Sequence, residues 1–189
     1  MTSNHESVIT GSAERSKTDV HLEPIVPERD AGLIHGLLNE DPEYFNDLHL
    51  GTTDFSTVEL VESYLRNLES KSLAIQAGGE VVGNLYISEQ INARASAISY
   101  WVVKRASGQG IASEAVRQAV NMIFEDGSKE VIMAAVQSSN QASRSLLQKN
   151  GFDLLNEQVV NNWPTKPMVC TYIKFSPELE ATIPSLQDT

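Results

Sequence analysis

A short glycine-containing segment in the middle of the chain has the composition of an anion-binding loop. It runs from Arg105 to Gly110 (RASGQG), after an apolar stretch typical of a strand and directly before a helical pattern. Gly108 and Gly110 allow unusual φ angles, and they let a ligand approach the backbone without obstruction by a Cβ atom. The N–H groups of such a loop and of the first helical turn have no acceptor within the helix, and the helix dipole favours negative charge. The segment therefore predicts a pyrophosphate site.

Other phosphate-binding motifs fit this segment less well. No Gly-Lys-Ser/Thr sequence ends it, so it is not a P-loop. A dinucleotide-binding fingerprint would place the glycines at the strand end and an acidic residue at the end of the next strand. Here Lys104 to Ser107 intervene, and the next predicted strand ends at Gln137. On this segment alone, the alternative is a glycine-rich turn that binds nothing.

A second motif lies downstream, from Asn140 to Phe152 (NQASRSLLQKNGF). Together the two segments resemble the GNAT acetyltransferase superfamily, and in particular the branch of the ribosomal-protein N-terminal acetyltransferases. The family's cofactor loop has the form Q/R-x-x-G-x-G/A, and its later motif is Asn-x-x-Ser followed by Lys-x-Gly-Phe. The matching residues are Tyr100, Trp101, Arg105, Gly108, Gly110, Glu114, Ala115, Asn140, Ser143, Lys149, Gly151 and Phe152.

This resemblance implies an α/β fold with a mixed sheet, the GNAT-like acyl-CoA N-acyltransferase fold, in which two parallel central strands splay apart. The pantetheine arm of acetyl-CoA would lie between these strands like an added strand. The amides that follow Gly108 would bind the pyrophosphate, and no metal is implied. The residues that the resemblance assigns to cofactor binding are Val102, Val103, Arg105, Gly108, Gln109, Gly110, Ile111, Ala112 and Asn140.

The resemblance also suggests catalytic residues, although parts of the family pattern are missing. Ser143 would point at the sulfur as a hydrogen-bond donor or acid to the departing thiolate. Many GNAT enzymes carry a tyrosine acid four residues further on, where this chain has Leu147; Tyr172 is a substitute only if the fold brings it near. Between Ile91 and Arg105 there is no acidic residue to act as a base. Glu89 is the nearest candidate, through water, and an exposed turn carboxylate is an equally good interpretation.

The elements that position these residues form an alternating series, β-α-α-β-β-β-α-β-α-β-β. A strand over 97–103, a helix over 111–124 and a strand over 130–136 form one strand–helix–strand unit, which predicts parallel strands with a right-handed crossover. A β-hairpin turning at Gly78-Gly79 precedes this unit. A helix after Asn140, ending near Gly151, and two final strands follow it.

The chain predicts one domain over residues 20–175, with a flexible N-terminal tail over 1–19 and a C-terminal tail over 176–189. A helix begins at Pro27. Residues 40–55 have the pattern of a loop. Ser56 followed by Glu59 indicates a capping box at the start of the next helix.

Composition narrows the classes of protein. The formal net charge is −11, with 14 basic residues scattered along 189, which argues against nucleic-acid binding. No apolar run reaches the ~18 residues of a membrane span, and the polar N-terminus is not a secretory signal. One cysteine, Cys170, excludes an intramolecular disulfide. The expected location is the cytoplasm, as a monomer or homodimer.

The acceptor is left open by the sequence. An α-amine with a pKa near ~8 needs about 1.4 kcal/mol to be neutral at pH 7, whereas a lysine amine near ~10.4 needs roughly 4.6 kcal/mol. A site without a base on its central strand therefore suits the N-terminal α-amine of a protein. The alternatives are a small-molecule amine (a polyamine, an amino acid or an aminoacyl antibiotic) and a domain that binds acyl-CoA without turnover. A nicotinamide-dependent enzyme is a distant fourth.

Overall fold

A computed structural model describes most of the chain. The predicted N-terminal tail, 1–19, lies outside its described residues except for the last position, and the predicted C-terminal tail, 176–189, is described as far as residue 182. The described ranges are 19–48, 54–68, 70–160 and 167–182.

One mixed sheet of seven strands organises the fold, in the order β1-β2-β3-β4-β5-β7-β6. Neighbouring strands are antiparallel except β4 and β5, which are parallel and are joined through a helix, as the strand–helix–strand pattern predicts. This arrangement confirms the α/β mixed-sheet fold class. The strands are β1 Val20–Pro24, β2 Ser70–Ala77, β3 Glu80–Asn92, β4 Ala95–Val102, β5 Val131–Gln137, β6 Asp153–Val159 and β7 Met168–Phe175.

Helices accompany the sheet. The α4 helix packs across β1 to β4, while α1 and α3 pack against each other. Among the described residues, no helix has the length and apolar character needed to span a bilayer. The helices are α1 Pro27–Leu38, α2 Pro42–Leu48, α3 Val58–Asn67, α4 Ile111–Phe124, α5 Gln141–Lys149 and α6 Pro177–Glu180, with a 3₁₀ turn over Lys104–Ala106.

The best-predicted elements are those with the clearest local signals. The β2–β3 hairpin turns at Gly78 and Gly79, whose φ angles of 61° and 84° are open to glycine at little cost. The α4 helix has the predicted bounds because its apolar residues recur every three or four positions and face the core. Its buried residues are Ile111, Ala115, Val116, Ala119, Val120 and Ile123.

Two predictions near the N-terminus are wrong. The α2 helix occupies Pro42–Leu48, inside the stretch predicted as a loop. It begins because the Asp41 carboxylate accepts a hydrogen bond from the Tyr44 N–H, with Pro42 at the first helical position. The cap of α3 is Thr57, whose hydroxyl accepts from the Leu60 N–H, and not the preceding serine.

Candidate active site

The two parallel strands separate halfway along their length. Pairing between β4 and β5 covers Ala95–Ile98 opposite Val131–Ala134. Beyond that point β4 continues along β3 through Ser99–Val102, and β5 continues along β7 through Ala135–Gln137. A cavity of about 580 Å³ fills the resulting gap. The splay that the family resemblance implies is therefore present.

The backbone of β4 turns polar groups toward this gap. The Val103 N–H donates to the Val82 carbonyl (2.8 Å), and Val102 stands opposite Gly83. Hydrogen-bonding edges alternate along an antiparallel strand, so the N–H and C=O groups of Tyr100 and Val102 point away from β3 and into the gap. Of the two predicted backbone positions, Val102 faces the ligand space, whereas the Val103 N–H is already bound to β3.

The β5 strand presents its own edge from the other side. The Ser138 N–H donates to the Met168 carbonyl (2.9 Å), which continues the β5–β7 ladder. By the same alternation, the N–H and C=O groups of Ala135 and Gln137 point toward β4. Two facing strand edges thus border a space that can accept an extended, amide-bearing chain.

The predicted anion loop lies at the open end of the gap. Gly108 and Gly110 have φ angles of 72° and 81°, and α4 starts directly after Gly110. A Cβ atom built at either glycine would meet nothing within 4 Å, so the space in front of the loop is open. Gln109 closes the loop from within, because its Nε2 donates to the Arg105 carbonyl (2.6 Å). Ile111 and Ala112 both line the cavity, and the buried Ile111 side chain anchors the helix start.

Two basic side chains beside this loop are held by carboxylates. Arg105 donates through Nε to Glu40 (3.0 Å), and its Nη1 lies 3.5 Å from Glu80. Lys104 binds Asp41 through Nζ (2.9 Å), which lowers the pKa of that carboxyl group. The predicted cofactor residue Arg105 is therefore the first residue of the loop, and its guanidinium group is directed at Glu40 and Glu80.

The start of α5 brings a hydroxyl pair into the cavity. The Asn140 Oδ1 caps α5 by accepting from the Ser143 N–H (3.0 Å), so it fixes the first helical turn. The Ser143 Oγ lies 2.8 Å from the Tyr100 hydroxyl, which comes from β4. Burial raises the pKa of Tyr100 to about 12, although the hydrogen bond with Ser143 partly offsets this rise. Tyr100 is therefore protonated at neutral pH and is able to donate.

In the sequence, Tyr100 matches a family motif that predicts no role for its hydroxyl group. The candidate substitute for the tyrosine acid, Tyr172, is fully buried and accepts a hydrogen bond from the Arg144 Nε (3.1 Å). Leu147, at the position of the usual tyrosine acid, is a buried apolar residue of the cavity wall. The alternation of side chains along β4 is the sequence feature that could have identified Tyr100 as a site residue, because it places Tyr100 on the same face of the strand as the buried Ile98.

Glu89 lies away from this constellation. Its side chain is exposed, and the preceding residue, Ser88, stands opposite Ala97 in the half of β4 that is still paired with β5. Glu89 is outside the described lining of the cavity. Across the described ranges, no group of three His, Cys, Asp or Glu side chains is placed to hold a metal ion.

The cavity reaches both faces of the sheet. Directly paired residues share a face, so Tyr100 lies with Leu85, whereas Trp101 lies with Asn84 on the opposite face. The α5 helix covers the first face through the Tyr100–Ser143 contact. Side chains from α2 and α3 cover the second, where we define an aromatic chamber: Phe45, Phe55, Tyr64, Tyr86 and Trp101.

This combination of a splayed parallel pair and a glycine loop at a helix start defines an acyltransferase class of fold. Residues 19–153 match the acetyltransferase (GNAT) domain family. The chain therefore belongs to the GNAT acetyltransferases, which confirms the family predicted from its motifs. No curated protein matches the sequence itself closely enough to count as a relative.

Solved structures share the fold at low identity. A ribosomal L7/L12 α-N-protein acetyltransferase in complex with coenzyme A superposes with a TM-score of 0.75 and 20% identity, covering 85% of this chain and 95% of that one. The ribosomal-protein-S5-alanine acetyltransferase from Vibrio fischeri gives 0.73 and 18%, with 87% and 96% covered. A spermidine N-acetyltransferase chimera from Vibrio cholerae and hSSAT gives 0.68 and 15%, with 85% and 96% covered.

Proposed function

We propose that this chain is a cytoplasmic, acetyl-CoA-dependent N-acetyltransferase whose acceptor is the N-terminal α-amine of a protein. The observation that carries the proposal is the splay between β4 and β5. Its strand edges offer backbone hydrogen-bonding groups to an extended ligand, and its open end carries a loop with two glycines at positive φ. These features match the two ends of acetyl-CoA, an amide-bearing arm and a pyrophosphate.

The residues present fit this donor. Open space in front of Gly108 and Gly110 admits a phosphate group to the backbone N–H groups of the loop. The edges at Val102 and Ala135 would hold the pantetheine amides as a short added strand. Asn140, which caps α5 at the cavity wall, would approach the same arm. Coenzyme A supplies the acetyl group as a thioester.

The chemistry needs a neutral amine, an oxyanion site and a proton for the leaving sulfur. A bond forms between the amine nitrogen and the acetyl carbon, the carbon–sulfur bond breaks, the amine loses a proton and the thiolate gains one. The N–H of Tyr100 or Val102 would stabilise the negative charge that develops on the acetyl oxygen. The Ser143 hydroxyl, oriented by its N-terminal helical turn and by Tyr100, would donate to the sulfur.

Glu89 is the sequence-based candidate for the base that takes the amine proton. Because its exposed side chain lies outside the described cavity lining, it would act through water. Glu89→Gln tests this role, with the exposed Glu178→Gln on α6 as the matched control. A general-base role requires kcat to fall on the order of 10²-fold, and a change within about two-fold of the control excludes the role.

The acceptor assignment rests on the free energy of deprotonation and on the neighbouring folds. An α-amine is about two pKa units more acidic than a lysine amine, so it needs less help from a base. Two of the structural neighbours act on ribosomal proteins. The spermidine enzyme among the neighbours supports a small-molecule amine as the second candidate.

Thiol release from acetyl-CoA over a panel of acceptors tests the proposal. The panel holds peptides with free α-amines, peptides with an acetylated N-terminus and a free lysine, polyamines and amino acids, and a control without acceptor covers hydrolysis. We expect release with free α-amine peptides. Equal turnover on the blocked lysine peptides would contradict the α-amine preference. Binding of acetyl-CoA without transfer to any acceptor would favour a non-catalytic acyl-CoA-binding domain.

A further inference from the structure

The aromatic chamber is built from rings that meet edge to face. Phe55 and Tyr64 lie 5.1 Å apart between ring centroids at 83°, and Tyr64 and Tyr86 lie 6.2 Å apart at 80°. Phe45 and Trp101 form a second pair, 4.9 Å apart at 84°. Perpendicular rings of this kind leave both flat faces and edges along the chamber wall. The wall is therefore suited to contact with an apolar or aromatic group.

The chamber differs from the rest of the cavity in charge. The described lining contains no Asp or Glu side chain. Its one formal cation, Lys149, stands at the C-terminal end of α5, which covers the opposite face of the sheet. The other titratable side chains are the phenols of Tyr44, Tyr64, Tyr86 and Tyr100.

Burial raises the pKa of both Tyr64 and Tyr86, so these two phenols are neutral at physiological pH. An ammonium group placed among them would lose water and would meet no carboxylate among the described lining residues. A polyamine carries at least one further ammonium group beyond the amine that reacts. The described lining of the chamber offers that group only phenol oxygens and cation–π attraction, which stabilise it by less than desolvating the charge costs.

We propose that the aromatic chamber is the specificity pocket for the acceptor and selects primary amines with an apolar or aromatic group beside the amino carbon. This inference rests on the proposed function. An N-terminal residue with a large apolar side chain and a small arylalkylamine share this chemistry. Acceptors with a small polar side chain or with several cations are selected against.

The position of the aromatic chamber, next to the Tyr100–Ser143 hydroxyl pair, supports its assignment as the specificity pocket. Trp101 belongs to the chamber, and the adjacent residue, Tyr100, turns its side chain to the other face, where it meets Ser143. One step along β4 thus separates the wall of the chamber from the hydroxyl pair. An amine held at the gap would place the group on its neighbouring carbon in the chamber, while the thioester approaches from the face of α5.

Competition between acceptors on the full chain tests the proposal. The acceptors are matched peptides that begin with Phe, Leu or Ser, then phenethylamine and spermidine. We expect kcat/KM for the Phe and Leu peptides and for phenethylamine to exceed that for the Ser peptide and spermidine on the order of 10-fold or more, since one methylene in an apolar pocket is worth about that much. Comparing kcat/KM for the apolar peptides with that for phenethylamine then identifies whether the natural acceptor is a protein N-terminus or a small arylalkylamine.

A pair of variants at Phe55 tests the role of charge. Phe55 precedes α3 and is partly exposed, so it tolerates replacement. Phe55→Asp should shift the ratio of kcat/KM toward spermidine by on the order of 10-fold, because it supplies a carboxylate. Phe55→Leu keeps the wall apolar and should keep the wild-type order of preference. Thermal melting of both variants verifies that they fold.

Binding gives a readout that needs no turnover. Calorimetric titration of the CoA-loaded protein with the Phe peptide and with spermidine measures the preference directly. If the protein acetylates amines but prefers spermidine, or prefers neither spermidine nor the Phe peptide, the specificity pocket is overturned and the proposed function still stands. Preferential binding of the apolar amines without any transfer supports the pocket and contradicts the acetyltransferase activity. Equal binding, without transfer, overturns both.

Discussion

The hydroxyl groups of Tyr100 and Ser143 lie 2.8 Å apart, and their contact links β4 to the first turn of α5 across the cavity. The two residues are 43 positions apart in the chain. Ser143 is fixed from behind as well, because its N–H donates to the Asn140 cap. A chain of hydrogen bonds from Tyr100 through Ser143 to a leaving sulfur would strengthen the donor closest to the sulfur.

Replacing Ser143 separates catalysis from cofactor binding. In Ser143→Ala we expect kcat to fall about 10²-fold, the lower end of what a positioned acid contributes. The Kd for coenzyme A should change by less than about two-fold, since the phosphate and backbone contacts remain. Steady-state kinetics and calorimetry measure the two effects, with the more exposed Ser139→Ala as the control. Full activity of Ser143→Ala would exclude the assigned role.

In the proposed mechanism Tyr100 acts through Ser143, so removing the Tyr100 hydroxyl should lower kcat less than removing that of Ser143. Tyr100→Phe loses one hydrogen bond, worth about 1 kcal/mol, and we expect kcat to fall about five-fold at nearly unchanged KM for acetyl-CoA. In the Tyr100→Phe/Ser143→Ala double variant, the second substitution should add little. Additive losses in this double-mutant cycle would show that the two hydroxyl groups work independently.

Local signals made much of the fold predictable, and long-range contacts account for what was missed. The α4 helix follows from apolar periodicity and Gly110, because these cues lie within a few residues of one another. The α2 helix has only seven residues, and its place depends on distant partners such as Ser107, whose hydroxyl lies 2.7 Å from that of Tyr44. The Tyr100–Ser143 pair depends on how two distant elements meet, which residue spacing does not encode.

In the candidate site, too, local features were predictable from the sequence and long-range contacts were not. The positive φ angles at Gly108 and Gly110 follow from residue type, since glycine adopts them at little cost. The ion pair between Arg105 and Glu40 requires the α1–α2 connection to lie over the loop, and no sequence motif predicts this contact. The aromatic chamber draws on α2, α3, β3 and β4 together. The sequence therefore indicated the donor half of the site and left the acceptor half open.

Alkaline pH should destabilise the protein through Tyr100. Burial raises its pKa from 10 to about 12 in the folded state. Between these values the unfolded chain releases the phenolic proton and the folded protein retains it, so the free energy of unfolding falls as pH rises. The slope is at most about 1.4 kcal/mol per pH unit for this group.

Urea unfolding of the wild type and Tyr100→Phe at pH 8 and pH 11 measures this linkage. We expect the free energy of unfolding to fall less with pH in the variant. Tyr86, whose pKa burial also raises, contributes in the same direction in both proteins and cancels in the comparison. Identical pH dependence in the two proteins would show that the Tyr100 phenol is not shifted.

Replacing a loop glycine with alanine should destabilise the protein because of the positive φ angle of the glycine. Gly110→Ala introduces a Cβ at φ 81° with nothing within 4 Å, so the expected loss of stability, roughly 1–2 kcal/mol, comes from the left-handed conformation alone. The Cβ would also occupy the space offered to a phosphate and weaken coenzyme A binding. Gly36→Ala, in the exposed part of α1 with equally open space, should instead stabilise by about 0.5–1 kcal/mol. Equal effects of the two substitutions on coenzyme A affinity would contradict the loop assignment.

Gly83 lies on β3 where the backbone of β4 leaves no room for a side chain. A Cβ built at Gly83 would lie 2.2 Å from the Trp101 carbonyl oxygen and 2.9 Å from the Val102 Cα, so backbone atoms have to move to admit alanine. We expect Gly83→Ala to destabilise the protein by about 1–3 kcal/mol, as overpacking of a core does. It should also shift the β4 segment whose far edge borders the gap.

Because that segment carries both Tyr100 and the chamber residue Trp101, catalysis and acceptor selection should suffer together. Urea unfolding measures the stability loss. The ratio of kcat/KM for apolar and cationic acceptors measures the displacement, with Gly32→Ala in α1 as a control that meets nothing within 4 Å. A stability loss with an unchanged acceptor ratio would show that β4 holds its position at the splay when β3 is forced away from it.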